Sequence, residues 1–268
     1  MFSDLTSDEV LDYCSEVPLA LALERLTELR ILRSLKFAPP ILDLGSGDGI
    51  FARHVFTHDH VELAVDPSSA ETEFATRSGH NYGLMCRSRG DNLPFKSKSV
   101  TTVFSNSVLE HIQDLDEVLR DVHRVLVPSG QFIATVPTDR FERYSLISLG
   151  LAFLRLRRLE VRYRRFYNRF WKHYHAYSVS KWEARFRNHG FEIVSTITYG
   201  TGLSTALNDL LAPFGLISKL RRVNNSPWVV SKRFRRGYLR PFSPLLRRSV
   251  NRGVSGDALV CLVLKAIP

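Results

Sequence analysis

Short apolar runs punctuate this chain at residues 40–44, 61–65, 82–86, 100–105, 131–136, 191–198 and 258–264. Their length and apolar content predict strands. Helical spacing fills the intervals. Thr6-Ser7-Asp8-Glu9 reads as a capping box that opens a helix. Pro18 starts a second, in which Leu19, Leu23, Leu26, Leu29, Ile31, Leu32 and Leu35 recur, and it ends before Pro39-Pro40. Phe51, Val55 and Phe56 mark a helix after the first strand. Residues 115–127 form another, stopped by Pro128-Ser129-Gly130, and residues 180–189 form one more before Gly190. Strands alternating with helices imply βαβ units, a parallel sheet and right-handed crossovers. Two stretches, 138–175 and 200–257, break the rhythm.

Composition adds bounds. The chain has 268 residues, 44% of them hydrophobic, enough for one domain with a sizeable core. Cys14, Cys86 and Cys261 are far apart and form no C-x-x-C pair. That argues against a disulfide framework or a zinc site, and no metal is expected. The amino terminus is acidic and polar rather than basic and apolar, unlike a signal peptide. The longest apolar run, 146–154, is broken by Ser148 and Gly150 and is too short to span a bilayer. The expected location is the cytoplasm.

Charge is spread unevenly. Residues 1–150 carry 14 Lys/Arg against 22 Asp/Glu, a balance of −8, while residues 151–252 carry 22 against 4, a balance of +18. The net +10 therefore belongs to one region.

The first strand ends in Gly45-Ser46-Gly47-Asp48-Gly49. Such a turn lets a ligand touch the backbone. A pyrophosphate-binding G-x-G-x-x-G requires its third glycine where Ile50 stands. Asp48, at the helix start, suits the helix dipole but repels a pyrophosphate. Both features oppose a nicotinamide dinucleotide. They fit a phosphate-free nucleoside with positive charge, and S-adenosylmethionine is such a ligand. Asp66 closes the second strand about twenty residues after the glycines, where a carboxylate meets ribose hydroxyls. The competing reading is a solvated strand-end carboxylate.

Three further stretches follow in order: Asp91-Asn92-Leu93-Pro94-Phe95, then Phe104-Ser105-Asn106-Ser107-Val108-Leu109-Glu110-His111-Ile112, then Arg124-Val125-Leu126-Val127-Pro128-Ser129-Gly130. With the glycine loop, they resemble the class I S-adenosylmethionine-dependent methyltransferases, in particular the type 11 group, over about residues 38–137. The amino-terminal helices and the segment ending in Phe191 look like one bacterial branch of that group. The resemblance implies an α/β, Rossmann-like fold with helices on both faces. Its seven-stranded sheet would be mainly parallel with an antiparallel last strand. It implies S-adenosyl-L-methionine as cofactor. Asp43, Gly45, Ser46, Gly47 and Gly49 would hold the methionine part and Asp66 the ribose. Asp91, Asn92 and Leu93 would lie along the adenine, and Ser105 and Asn106 would line the methyl-transfer site. Two positions depart from the pattern. Arg89 stands where the group has an Asp that accepts from the adenine amino group, and Thr101 replaces an Asp at the start of the fourth strand. A non-catalytic cofactor-binding or interaction protein is the rival reading these departures raise.

Methyl transfer is an in-line displacement that depends first on near-attack geometry. A base is needed only for a protonated nucleophile. His111, after the fourth strand, is a candidate, as are His173 and His175 after the first basic segment. Each has a structural alternative, in loop ordering or in packing and capping, and no base is assigned.

The basic segments interleave cations with aromatics. Arg155 to Arg158 and Arg162 to Tyr167 form the first set; Lys219 to Arg222, Lys232 to Arg236 and Arg247-Arg248 form the second, near Trp228, Phe234 and Tyr238. Leu207, Leu210, Leu211, Phe214, Ile217 and Leu220 make an apolar stripe ahead of the second set. One domain is expected over 1–268: amino-terminal helices 1–37, a cofactor-binding half 38–137, and insertions 138–175 and 200–257 lying as a lid over a small-molecule acceptor. The acceptor is expected to be lipid-linked or a glycan. The insertions suit an anionic membrane surface, placing the protein peripherally at its inner face. A nucleic-acid surface, which would direct methylation to RNA, ranks behind because no RNA-binding module is visible. Solvated helix with snorkelling arginines is the third reading.

Overall fold

The computed structural model describes residues 2–20, 22–57, 60–77, 82–206, 208–211, 231–251 and 254–268. Seven strands form one sheet: β1 (Ile41–Leu44), β2 (Val61–Asp66), β3 (Tyr82–Arg87), β4 (Val100–Asn106), β5 (Leu126–Pro137), β6 (Phe191–Tyr199) and β7 (Leu259–Ala266). Their order is β3-β2-β1-β4-β5-β7-β6. β1 to β5 pair in parallel, and β7 runs antiparallel between β5 and β6. Six strands thus share one direction, as a Rossmann-like methyltransferase sheet requires.

The two-residue period of a strand sorts the core into two layers. Ile41, Phe104, Ile133, Cys261 and Val263 face α1 (Ser7–Glu16), α2 (Ala22–Leu32) and α3 (Ile50–Val55). Leu42, Val103, Phe132, Ala134 and Leu262 face α5 (Leu115–Val125) and α8 (Val179–Arg187). On α5, Leu115, Val118, Leu119, Val122 and Val125 are all buried on one stripe. Each contributes about 1.5–3 kcal/mol by leaving water. A further helix, α4 (Ser69–Arg77), joins β2 to β3.

Several boundaries differ from the expectation. α2 starts at Ala22, beyond Pro18, and ends at Leu32. Leu126 pairs with Val100, so β5 begins at once where α5 ends. The turn Pro128-Ser129-Gly130 therefore lies inside the strand as an irregularity, with Ser129 at φ 64°, instead of separating helix from strand. The capping box is present: the Thr6 hydroxyl accepts from the Glu9 N–H, and the Glu9 carboxylate accepts from the Thr6 N–H.

The first insertion leaves the carboxyl end of β5 as α6 (Leu146–Phe153) and α7 (Arg157–Trp171). The second leaves β6 and includes helical residues 202–206 and 208–211, then helices Lys232–Leu239 and Ser243–Asn251. Those two helices pack against α1. Lys232 meets Glu16 at 2.9 Å, and Arg236 meets Asp8 and Asp12. Leu207, Phe214, Ile217, Lys219 to Arg222 and Trp228 lie outside the described residues. No helix among the described residues is long and apolar enough to cross a membrane.

Candidate cofactor and acceptor site

The glycine turn is built by backbone hydrogen bonds to β2. The N–H groups of Gly45 and Ser46 donate to the Val65 carbonyl at 2.8 and 3.1 Å. The Gly47 N–H donates to Asp66 Oδ2 at 2.9 Å, and the Ser68 N–H to Asp66 Oδ1 at 2.8 Å. Gly45, Gly47 and Gly49 take φ of 76°, 54° and 71°, which a side chain adopts only under strain. At Gly45 a Cβ would fall 2.5 Å from Val108 Cγ2, whereas at Gly47 it would meet nothing within 4 Å. The turn therefore closes on its inner side and opens on its outer side. Beneath it, the buried Asp43 carboxylate accepts from the Tyr82 hydroxyl at 2.6 Å. Burial pushes that carboxyl up to about 7. Asp66 is also raised above the usual carboxylate range, by burial acting against its two backbone donors. Asp48 and Asp66 flank the turn and favour a cationic ligand.

On the expected adenine side, Asp91 is engaged by Arg89 at 2.7 Å. The Leu93 N–H donates to Asp121 Oδ2 at 2.6 Å. Arg124 donates to the carbonyls of Leu93 and Phe95 at 3.0 and 2.7 Å and pairs with Asp121. The Leu93–Phe95 stretch is thus pinned to α5 by the Asp121–Arg124 pair.

At the end of β4 a buried polar network gathers. Arg25, from α2, donates to Asn106 Oδ1 at 2.5 Å, to Ser107 Oγ at 2.9 Å and to Glu28 at 2.7 Å. Its guanidinium sits 5.5 Å from the Phe51 ring centroid. Asn106 also donates to Thr135 Oγ1 at 2.5 Å. Tyr199 donates to Glu28, and Thr205 to Glu24 at 2.9 Å. Ser105, next to Asn106 in β4, is fully buried, and its hydroxyl makes no hydrogen bond among the described residues.

The three histidines separate. His111 Nδ1 lies 3.2 Å from the Lys172 carbonyl, which fixes the tautomer with the proton on Nδ1. Its Nε2 is 3.8 Å from the buried Glu110 carboxyl, and its ring centroid is 5.1 Å from that of His173. Burial pushes Glu110 up to about 8 and lowers His173 to about 4, so His173 is neutral at physiological pH. His175 is turned inward. Its Nε2 meets the Ile112 carbonyl at 2.8 Å and its Nδ1 the Tyr177 hydroxyl at 2.9 Å, which occupies both nitrogens in packing. The ligating atoms of Glu110, His111 and His173 lie within 4.8 Å of one another, a spacing that a metal ion could use. The adjoining cavity is lined by Arg165, Arg169 and Lys172, whose field favours anions instead.

Residues 13–196, more than half of the chain, match the family described as a methyltransferase domain. The chain belongs to the class I methyltransferase-domain family. S-adenosylmethionine is the cofactor of that family, and its enzyme class is methyltransferase. The chain is 29% identical over 97 residues to the biotin biosynthesis bifunctional protein BioHC of Cellvibrio japonicus, covering 36% of this chain and 19% of that one. It is 30% identical over 93 residues to the ubiquinone/menaquinone biosynthesis C-methyltransferase UbiE of Rubrivivax gelatinosus, covering 35% and 37%. The chain thus matches well under half the length of these curated relatives. A solved methyltransferase from Thermotoga maritima superposes with a TM-score of 0.54 at 17% identity, over 90% of this chain and 89% of that one.

Within this methyltransferase fold, the glycine turn meets Asp66 through the Gly47 N–H, Asn106 ends β4, and His111 lies in the following turn against Lys172 and His173. Sequence reasoning missed Arg25, Tyr82, Glu28 and Arg124. The first three lie outside the motifs and carry no local signal. Arg124 lies within one of the quoted stretches, and its spacing of three from Asp121 was a signal available to be read.

Proposed function

We propose that this chain transfers a methyl group from S-adenosylmethionine to a small, lipid-linked acceptor met at an anionic membrane surface. The glycine turn, open at Gly47 and flanked by carboxylates, fits the cofactor's cationic methionine end, and Asp66 fits its ribose. S-adenosylmethionine, when bound, supplies an electrophilic methyl on its sulfonium. Arg25 holds Asn106 and Ser107 in place at the edge of β4, and Glu110 anchors the chain at Tyr174 and His175 through its carbonyl. His111 Nε2 is the acceptor positioned to take a proton if the nucleophile carries one.

One observation carries the choice of acceptor. The α6–α7 hairpin turns large apolar side chains to water: Ile147 is 55% exposed, Phe153 87%, Leu154 63% and Phe166 61%. Exposed Arg155, Arg157, Arg158 and Arg162 lie among them. A surface helix normally hides such residues, and cations beside exposed Phe and Leu match the interface of an anionic bilayer. Partition into phosphatidylglycerol vesicles, against neutral vesicles and against immobilised RNA, tests this. The expected result is retention on acidic vesicles that a Phe153→Ser/Phe166→Ser double variant weakens about tenfold. Retention on RNA alone, or on neither, sinks the membrane reading. Cofactor binding with no transfer to any lipid or aqueous extract sinks the catalytic one.

A further inference from the structure

α7 presents a second face that the apolar patch does not use. Arg165, Asn168, Arg169 and Lys172 recur at i, i+3, i+4 and i+7, so they form one stripe along the helix. Lys172 then adopts the left-handed conformation, φ 56°, and turns the chain back. His173 and Tyr174 follow and complete the lining. Together these six residues line a cavity of about 420 Å³. No carboxylate is among them.

The contrast with neighbouring cations is sharp. Arg164, one position away, pairs with Glu142 at 2.8 Å. Arg30, Arg33, Arg53 and Arg124 each find an acid. Arg165, Arg169 and Lys172 pair with no carboxylate among the described residues. Two arginines at i, i+4 repel each other and cost the helix stability unless an anion lies between them. Asn168 lies between the two arginines on the same stripe.

We infer that this cavity binds a phosphate group. Three separate cations suit an anion with several oxygens and more than one negative charge, beyond what one carboxylate needs. The volume exceeds that of the ion, leaving room for the body of a ligand. The His173 ring lies 5.1 Å from that of His111, tilted by 49°, and His111 follows β4, so the cavity adjoins the proposed methyl-transfer edge. The role of the ligand as acceptor rests on the methyl-transfer reading; its binding does not.

Calorimetry on the full chain with inorganic diphosphate, with and without S-adenosylhomocysteine, tests the inference. The expected result is saturable binding that Arg165→Gln/Arg169→Gln weakens about tenfold or more, while Arg157→Gln/Arg158→Gln, on the same helix outside the cavity, changes it by less than about twofold. Equal losses from both pairs, or no saturable binding by the parent, overturn the site. Circular dichroism of both pairs guards against misfolding. Diphosphate that competes with phosphatidylglycerol vesicles for the protein identifies the phosphate as a lipid headgroup; binding without competition identifies a soluble phosphorylated ligand. A parent that binds diphosphate but not S-adenosylhomocysteine keeps this site and ends the methyl-donor reading.

Discussion

The acidic amino-terminal half and the basic region after it handle their charges in opposite ways. In the first, charges turn inward and are matched: Asp66 by two backbone N–H groups, Arg25 by Glu28 and Asn106, Arg124 by Asp121. In the second, the excess splits. The Lys232–Leu239 helix is answered inside the molecule by Glu16, Asp8 and Asp12 of α1. The α6–α7 hairpin has few such answers; Arg164 pairs with Glu142, but most of its cations face outward among exposed Phe and Leu. A formal balance of +18 therefore says little about where a partner lies. What locates a partner is the subset of cations that the fold leaves unmatched.

The comparison breaks most readily at the glycine turn. Gly47→Arg fills space that is open in the fold, so S-adenosylhomocysteine binding should fall by at least about a hundredfold, while the positive φ of 54° costs only about 1–2 kcal/mol of stability. Gly45→Ala should do the reverse, lowering stability by about 2 kcal/mol through its contact with Val108 and its positive φ. Equal cofactor affinity in the parent and Gly47→Arg would remove the reason for reading the turn as a donor site.

A smaller effect is expected from pH. Burial holds Asp43 and Glu24 up to about 7 and Glu110 up to about 8. In the unfolded chain such groups ionise near pH 4. Between about pH 4.5 and 8 the folded protein therefore keeps protons that the unfolded chain has released, and stability falls as pH rises through that window. Above about pH 8 this loss is complete. Urea unfolding midpoints at several pH values should show the decline, and Glu110→Gln should flatten it. A midpoint that rises from pH 5 to 8 contradicts the buried, protonated carboxyls.

The smallest change is expected on the adenine side. Arg89→Ala frees Asp91 from its 2.7 Å ion pair, and cofactor affinity should shift by less than about threefold. A large gain would mean that the Arg89–Asp91 pair competes directly with adenine.

Much of the cofactor half is legible because its physics is local. A buried run, a glycine turn and a strand-end acid sit close in sequence, and the sheet pairs them next to one another. The helix–strand junction at Leu126 was misread because a Pro-Ser-Gly triplet normally ends an element, yet cross-strand pairing with Val100 absorbs it as an irregularity. The Arg25 network was invisible for a different reason. Its partners lie 81 and 82 residues away, and nothing in the α2 sequence announces them. His173 and His175 look alike in the chain, but only the fold turns one toward the cavity and the other into the packing. Likewise the two basic insertions look alike in composition, and only tertiary contact reveals that Lys232 and Arg236 of the second are paired by acids of α1.

The place of β7 has a consequence for how the chain is made. It lies between β5 and β6 in the sheet, and its pairing with β5 joins residues such as Gln131 and Lys265. Until that segment leaves the ribosome, two hydrophobic strands carry naked edges with nothing to zip onto. Nascent chains should therefore lean on chaperones until β7 emerges, after the nucleoside-binding half has already taken shape.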